Sequence, residues 1–98
     1  MAAELTTTIA LLRRAYPSGA SGVEYRCILA ALSPFMSQRQ LGCAIETWIG
    51  TPAVVVVNDS ARVGECPPAT NDLVAAIVRL SRAGFVEWVD EECLNDRS

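Results

Sequence analysis

Four cysteines, a few well-placed acids and no histidine or lysine bound the chemistry open to this chain. Cys27, Cys43, Cys66 and Cys93 are spaced 16, 23 and 27 residues apart. No zinc-site pattern has those spacings, and no histidine is present to complete a mixed site. No metal and no cofactor are therefore expected. Free cysteine behaves as a small buried hydrophobe, so Cys27 and Cys43 are expected in the core and Cys93 as an exposed thiol. A cysteine nucleophile needs a base or a positive microenvironment. Arg26 adjoins Cys27, but neighbours along a helix do not face each other. General acid–base chemistry usually recruits histidine or paired acids in a pocket. Glu24 and Glu46 are the acids well inside the second and third helices. Glu24 reads as a capping residue and Glu46 lies on a polar face, so neither reads as catalytic. The chain is expected to be non-enzymatic.

Nucleic-acid recognition is the rival chemistry. Ser37-Gln38-Arg39-Gln40 opens a helix with residue types that reach bases and phosphates. In that register Gln38 and Arg39 are the candidate DNA contacts. In a second register, residues 70–83 form a recognition helix carrying Arg79 and Arg82, with Phe85-Val86-Glu87-Trp88-Val89 as a wing strand. Charge argues against both. The net charge is −3, with 8 basic residues against 11 acidic ones, whereas phosphate contacts dominate DNA affinity. Asp90-Glu91-Glu92 would also repel a backbone beside the wing. Nucleic acid is not an expected partner, and an unidentified protein is. Aromatics mark binding hot spots, and Tyr16, Phe85 and Trp88 are the candidate partner surface. Tyr25 and Trp48 fall on buried stripes instead.

The elements that position these residues follow from periodicity and caps. Leu5, Ile9 and Leu12 form the stripe of a helix over Glu4–Ala15, which Pro17 stops. Ser18-Gly19 turns the chain, and Gly19 is expected in a conformation closed to other residues. Ser21 and Glu24 form a capping box for a helix to Leu32, apolar nearly all round and therefore central. Ser37 and Gln40 form a second box, with Met36 and Leu41 as its hydrophobic staple. Leu41, Ala44, Ile45, Trp48 and Ile49 follow helical spacing to Gly50, a C-terminal glycine. Thr51-Pro52 reads as a helix start, yet Val54-Val55-Val56-Val57 prefers a strand; a short helix is the favoured reading, because propensity is a weak guide over so few residues. The last clear helix spans Asn71–Ala83, with Thr70 as cap and Leu73, Ala76, Ile77 and Leu80 buried. Gly84 stops it, and Phe85 folds back on Leu80 in a Schellman arrangement.

With these elements placed, the chain resembles the small actinobacterial family called domain of unknown function 3349 (DUF3349). The resemblance rests on Leu12-Arg13-Arg14, the turn Tyr16-Pro17-Ser18-Gly19, the pair Glu24-Tyr25 and the helix Ile28-Leu29-Ala30-Ala31-Leu32. Further on it rests on Glu65-Cys66-Pro67 and on Leu80-Ser81-Arg82-Ala83-Gly84-Phe85. It is strongest over residues 12–32 and patchy from 51 to 85. Ser33-Pro34-Phe35-Met36, where basic residues are expected, and the valine run depart from the pattern. The resemblance implies a compact helical bundle, favours a helix over residues 51–65, and carries no catalytic residue across.

The expected fold is all-α, a compact bundle of four to five short helices. The open alternative is a short strand or wing near residues 54–57 and 85–89. Residues 1–90 form one domain and 91–98 an acidic flexible tail. Half the residues are hydrophobic (51%), enough for a core without metal or disulfide support. No apolar run approaches the ~20 residues of a membrane span. Met1-Ala2-Ala3-Glu4 lacks the basic and apolar segments of a secretory signal, so the chain is expected to be cytoplasmic. The runner-up function is a winged-helix or helix-turn-helix DNA-binding domain.

Overall fold

The computed structural model describes residues 5–20 and 22–90. Among them the chain is all-α, with helices α1 (Leu5–Ala15), α2 (Gly22–Leu32), α3 (Gln38–Ile49), α4 (Ala53–Glu65), α5 (Thr70–Arg82) and α6 (Phe85–Val89). That is one element more than expected. Glu4, the Ser21 cap, Cys93 and the acidic tail lie outside the described residues.

The packing is built around α1 and α2. α3 lies along α4 and also touches α1; α2 packs on α5 and α4; α6 closes over α1 and α5. One cluster, from Leu11 and Leu12 through Ile28, Leu29 and Leu32 to Ile45, Val56, Leu80, Phe85 and Trp88, forms the core. Of the expected α1 stripe, Leu12 and Tyr16 are buried and Ile9 packs against the core, and the buried face extends further to Thr8, Leu11 and Ala15. Thr8 enters the core because the indole Nε1–H of Trp88 donates to its hydroxyl at 3.2 Å. A satisfied hydroxyl tolerates burial.

The turn after α1 and the start of α3 follow local sequence chemistry. Gly19 has φ 86°, a left-handed conformation open to glycine and costly for other residues. Its N–H donates to the Tyr16 carbonyl at 3.0 Å. At α3 the Ser37 hydroxyl accepts from the Gln40 N–H at 3.1 Å, and the Gln40 side-chain oxygen accepts from the Ser37 N–H at 3.0 Å. The capping box is therefore complete. Met36 and Leu41, the expected staple pair, are both buried in the core.

The valine run is helix, not strand. Val56, Ser60 and Val63 share the buried face of α4, while Val54 and Val55 face solvent. A lone strand would need a paired edge, and residues 85–89 form α6, so the wing strand is replaced by a helix. The start of α4 differs from expectation. Its N-cap is Pro52, which has no side-chain cap bond. The missing acceptor comes from α3: Glu46 Oε2 accepts from the Ala53 N–H at 3.0 Å. Glu46 thus caps a neighbouring helix, where a carboxylate also suits the dipole.

α5 starts one residue early, at Thr70, with Ala69 as its uncapped N-cap, so Thr70 is not the cap. Its end tightens through Ala83 N–H to Leu80 C=O and Gly84 N–H to Ser81 C=O, 3.0 and 3.2 Å, rather than through a Schellman pair. Phe85 and Leu80 still meet in the core. Of the expected stripe, Ala76 and Leu80 are buried, Leu73 is half-buried, and Ile77 is exposed.

Candidate functional site

Arg79 organises the junction of α1, α2 and α5. Its guanidinium lies 4.3 Å from the centre of the Tyr16 ring. Its Nε donates to the Ala15 carbonyl at 2.6 Å, and an Nη donates to Glu24 Oε2 at 3.1 Å. A second arginine mirrors it, since Arg14 Nε of α1 donates to the Ala83 carbonyl at 2.8 Å. Each arginine satisfies an end carbonyl of the other's helix, where positive charge suits the dipole. A small pocket of about 180 Å³ opens beside this junction, lined by Tyr16, Glu24, Cys27, Asp72 and Arg79 among others. Burial, and then the nearby Asp72 carboxylate, push the Cys27 thiol up from its ordinary value. That environment keeps it a protonated thiol, the unreactive form.

A larger cleft of about 470 Å³ lies between the first turns of α2 and the last turns of α4, lined by Gly22, Tyr25, Arg26, Asp59, Arg62, Glu65 and Cys66. The Tyr25 hydroxyl donates to Asp59 Oδ2 at 2.8 Å. Burial and that bond raise the Tyr25 phenol above its ordinary range. Arg26 reaches the end of α4, an Nη donating to the Cys66 carbonyl at 2.8 Å.

The expected partner surface is corrected by burial. Tyr16, Phe85 and Trp88 are 1%, 8% and 4% exposed. Tyr16 is covered by Arg79 and by Trp48, whose ring centre lies 6.2 Å away. Phe85 and Trp88 stack at 5.9 Å, and Phe35 meets both edge-on at 5.9 and 6.3 Å. These three aromatics are core side chains. Cys43 is corrected in the opposite sense: it is exposed, as is Cys66, while Cys27 is buried.

The candidate DNA contacts are dispersed. Gln38 and Arg39 are exposed at the start of α3, and Arg82 is exposed at the end of α5. α3 and α5 are not packed neighbours, nor are α2 and α3 the packed pair of a helix-turn-helix. Arg79 is committed to Tyr16, Ala15 and Glu24. Among the described residues, no group of three or more histidine, cysteine or acidic side chains is placed to hold a metal ion. No described helix is long and apolar enough to cross a membrane.

The exposed apolar surface lies elsewhere. Val74, Ile77 and Val78 are 53%, 37% and 44% exposed on the outer side of α5. Their i, i+3, i+4 spacing makes them one stripe. α5 thus carries two apolar stripes, one buried through Ala76 and Leu80 and one facing solvent. The signal was present in the sequence: apolar residues cover too much of α5 for a single buried face.

Set beside known proteins, the chain matches no family model, no curated protein and no solved structure.

Proposed function

We propose that this chain is a non-enzymatic, cytoplasmic protein-interaction module that docks through the outer face of α5. The observation that carries the reading is the exposed row of Val74, Ile77 and Val78. Single exposed apolar side chains are ordinary, whereas a contiguous row on one helix face marks a contact surface. A row at this spacing suits the apolar face of another helix. Arg82, exposed one turn beyond Val78, lies at the rim of the row. The occupant is therefore an amphipathic helix of another protein with an acidic residue flanking its apolar stripe. Kinship with the DUF3349 family belongs to this proposal and rests on the motif residues that suggested it.

A photoreactive phenylalanine analogue at position 78, introduced into the full chain in its native cell, tests the reading. The expected result is one dominant adduct whose cross-linked peptide has helical apolar spacing and a flanking Asp or Glu. The adduct should vanish with Ile77→Asp and weaken with Arg82→Glu, while the helical circular dichroism of both variants stays unchanged. Equal adducts from position 54, where Val54 is also highly exposed, or none from position 78, would overturn the reading.

A further inference from the structure

We propose that the cleft between the first turns of α2 and the last turns of α4 is a binding site for a small zwitterion of the α-amino-acid type. The site is separate from the α5 face and extends the function proposed above. Its volume, about 470 Å³, falls in the ~300–1,000 Å³ range of small-molecule sites.

The argument rests on the charges lining the cleft. Two are positive, Arg26 and Arg62, and two negative, Asp59 and Glu65. A simple anion would meet two carboxylates in the same cleft, and a simple cation would meet two guanidiniums. A ligand carrying both charges a few bonds apart answers both sets. Arg62 and Glu65 stand three apart on α4, a spacing at which opposite charges commonly pair. Among the described residues their side chains make no hydrogen bond or ion pair. Both charges remain available to a ligand. Glu65 also closes α4, whose C-terminal end disfavours a carboxylate. An ammonium group beside it relieves that mismatch.

The other two charges are held in place. Asp59 is fixed by the Tyr25 hydroxyl through one oxygen, leaving the second as an acceptor. Arg26 is fixed by its bond to the Cys66 carbonyl, and its remaining N–H groups suit a carboxylate. Gly22 leaves one wall open, since a Cβ placed there would meet nothing within 4 Å.

Among the described residues, two exposed thiols supply a built-in reporter: Cys66 lines the cleft and Cys43 does not. The common L-α-amino acids are titrated one at a time into the full-length protein. Acetate and methylammonium serve as single-charge probes. Amide NMR shifts and the alkylation rate of each cysteine peptide are recorded. The expected result is that at least one amino acid gives saturable shifts confined to residues 22–26 and 59–66. That amino acid slows Cys66 alkylation several-fold and leaves Cys43 unchanged. Arg62→Gln and Glu65→Gln, at exposed positions, each weaken binding by about tenfold or more, equivalent to ~1.4 kcal/mol. The proposal is overturned if no amino acid saturates, if acetate or methylammonium binds as well as the amino acids, or if the Arg62 and Glu65 variants bind unchanged.

Discussion

Thr8 is a polar side chain with no exposed surface, held in the core of α1 by the Trp88 indole. Thr8→Val keeps the shape and removes the acceptor. An unsatisfied buried donor costs about 1–3 kcal/mol, so the urea midpoint should fall by a corresponding amount; an unchanged midpoint would show that Trp88 finds another acceptor. The burial of this residue was not legible in the apolar stripe of α1. Leu5, Ile9 and Leu12 satisfy a periodicity argument, but the hydroxyl's partner is 80 residues away and local spacing does not encode it. Cys27 and Tyr25 support a second residue-scale prediction. Both have raised values in the folded protein, burial being the leading cause, against ordinary values of 9.0 and 10.0. A raised value means that the folded state holds the proton more tightly than the unfolded chain does. The stabilising contribution is complete below the ordinary value and is lost as pH rises beyond it. Stability should therefore be flat from neutral pH to about 9 and decline above it. Cys27→Ala should delay the onset towards about 10, where Tyr25 and Tyr16, both raised first of all by burial, begin to contribute. Denaturation midpoints across that pH series are the check, and an early decline that persists in Cys27→Ala would remove Cys27 as its cause.

At the scale of the element, the caps divide into those written locally and those supplied from elsewhere. Ser37 and Gln40 are three residues apart and their box was legible because both halves lie in one turn. Ser37→Ala should cost about 1 kcal/mol, read from thermal or urea denaturation. The start of α4 was not legible in the same way. Thr51-Pro52 suggested a self-contained cap, whereas the acceptor for the Ala53 N–H is Glu46 on the preceding helix. Glu46→Ala should destabilise by about 1 kcal/mol, with Glu46→Gln recovering part of the loss because it keeps an acceptor oxygen. Equal losses in both variants would assign the effect to charge rather than to the hydrogen bond. The Gly19 turn was legible, since proline and glycine punctuate the chain whatever surrounds them. Gly19→Ala has room, its Cβ lying 3.8 Å from an Ile49 methyl carbon, but must adopt φ 86°. A loss of about 1–2 kcal/mol is expected, and a midpoint equal to the parent's would show that the turn relaxes. The helix favoured over residues 51–65 is present, and the strand alternative at 54–57 and 85–89 is not, because β propensity measures fit to a sheet and both segments found helical faces to bury instead.

Across the whole molecule, the all-α class was legible from helical periodicity and paired caps, and the candidate sites were much less so. Tyr16, Phe85 and Trp88 were singled out by residue type, but type does not reveal burial, and all three face the core. The cleft at Tyr25, Arg26, Asp59, Arg62 and Glu65 joins α2 to α4 across more than 30 residues. No spacing within either helix announces it. The α5 row was within reach of the sequence, and was missed only because Ile77 was assigned to the buried stripe. The reciprocal arginines between α1 and α5 carry a consequence for biosynthesis. The ribosome releases α1 first, but Arg14 waits 69 residues for the Ala83 carbonyl. At about 5–20 residues per second that interval is roughly 3–14 seconds. Throughout it the growing chain presents Leu11 and Leu12 without α5 or α6 to cover them. A message broken before the codon for Thr70 would yield a polypeptide in that state permanently, a substrate for chaperones and proteases rather than a smaller working protein.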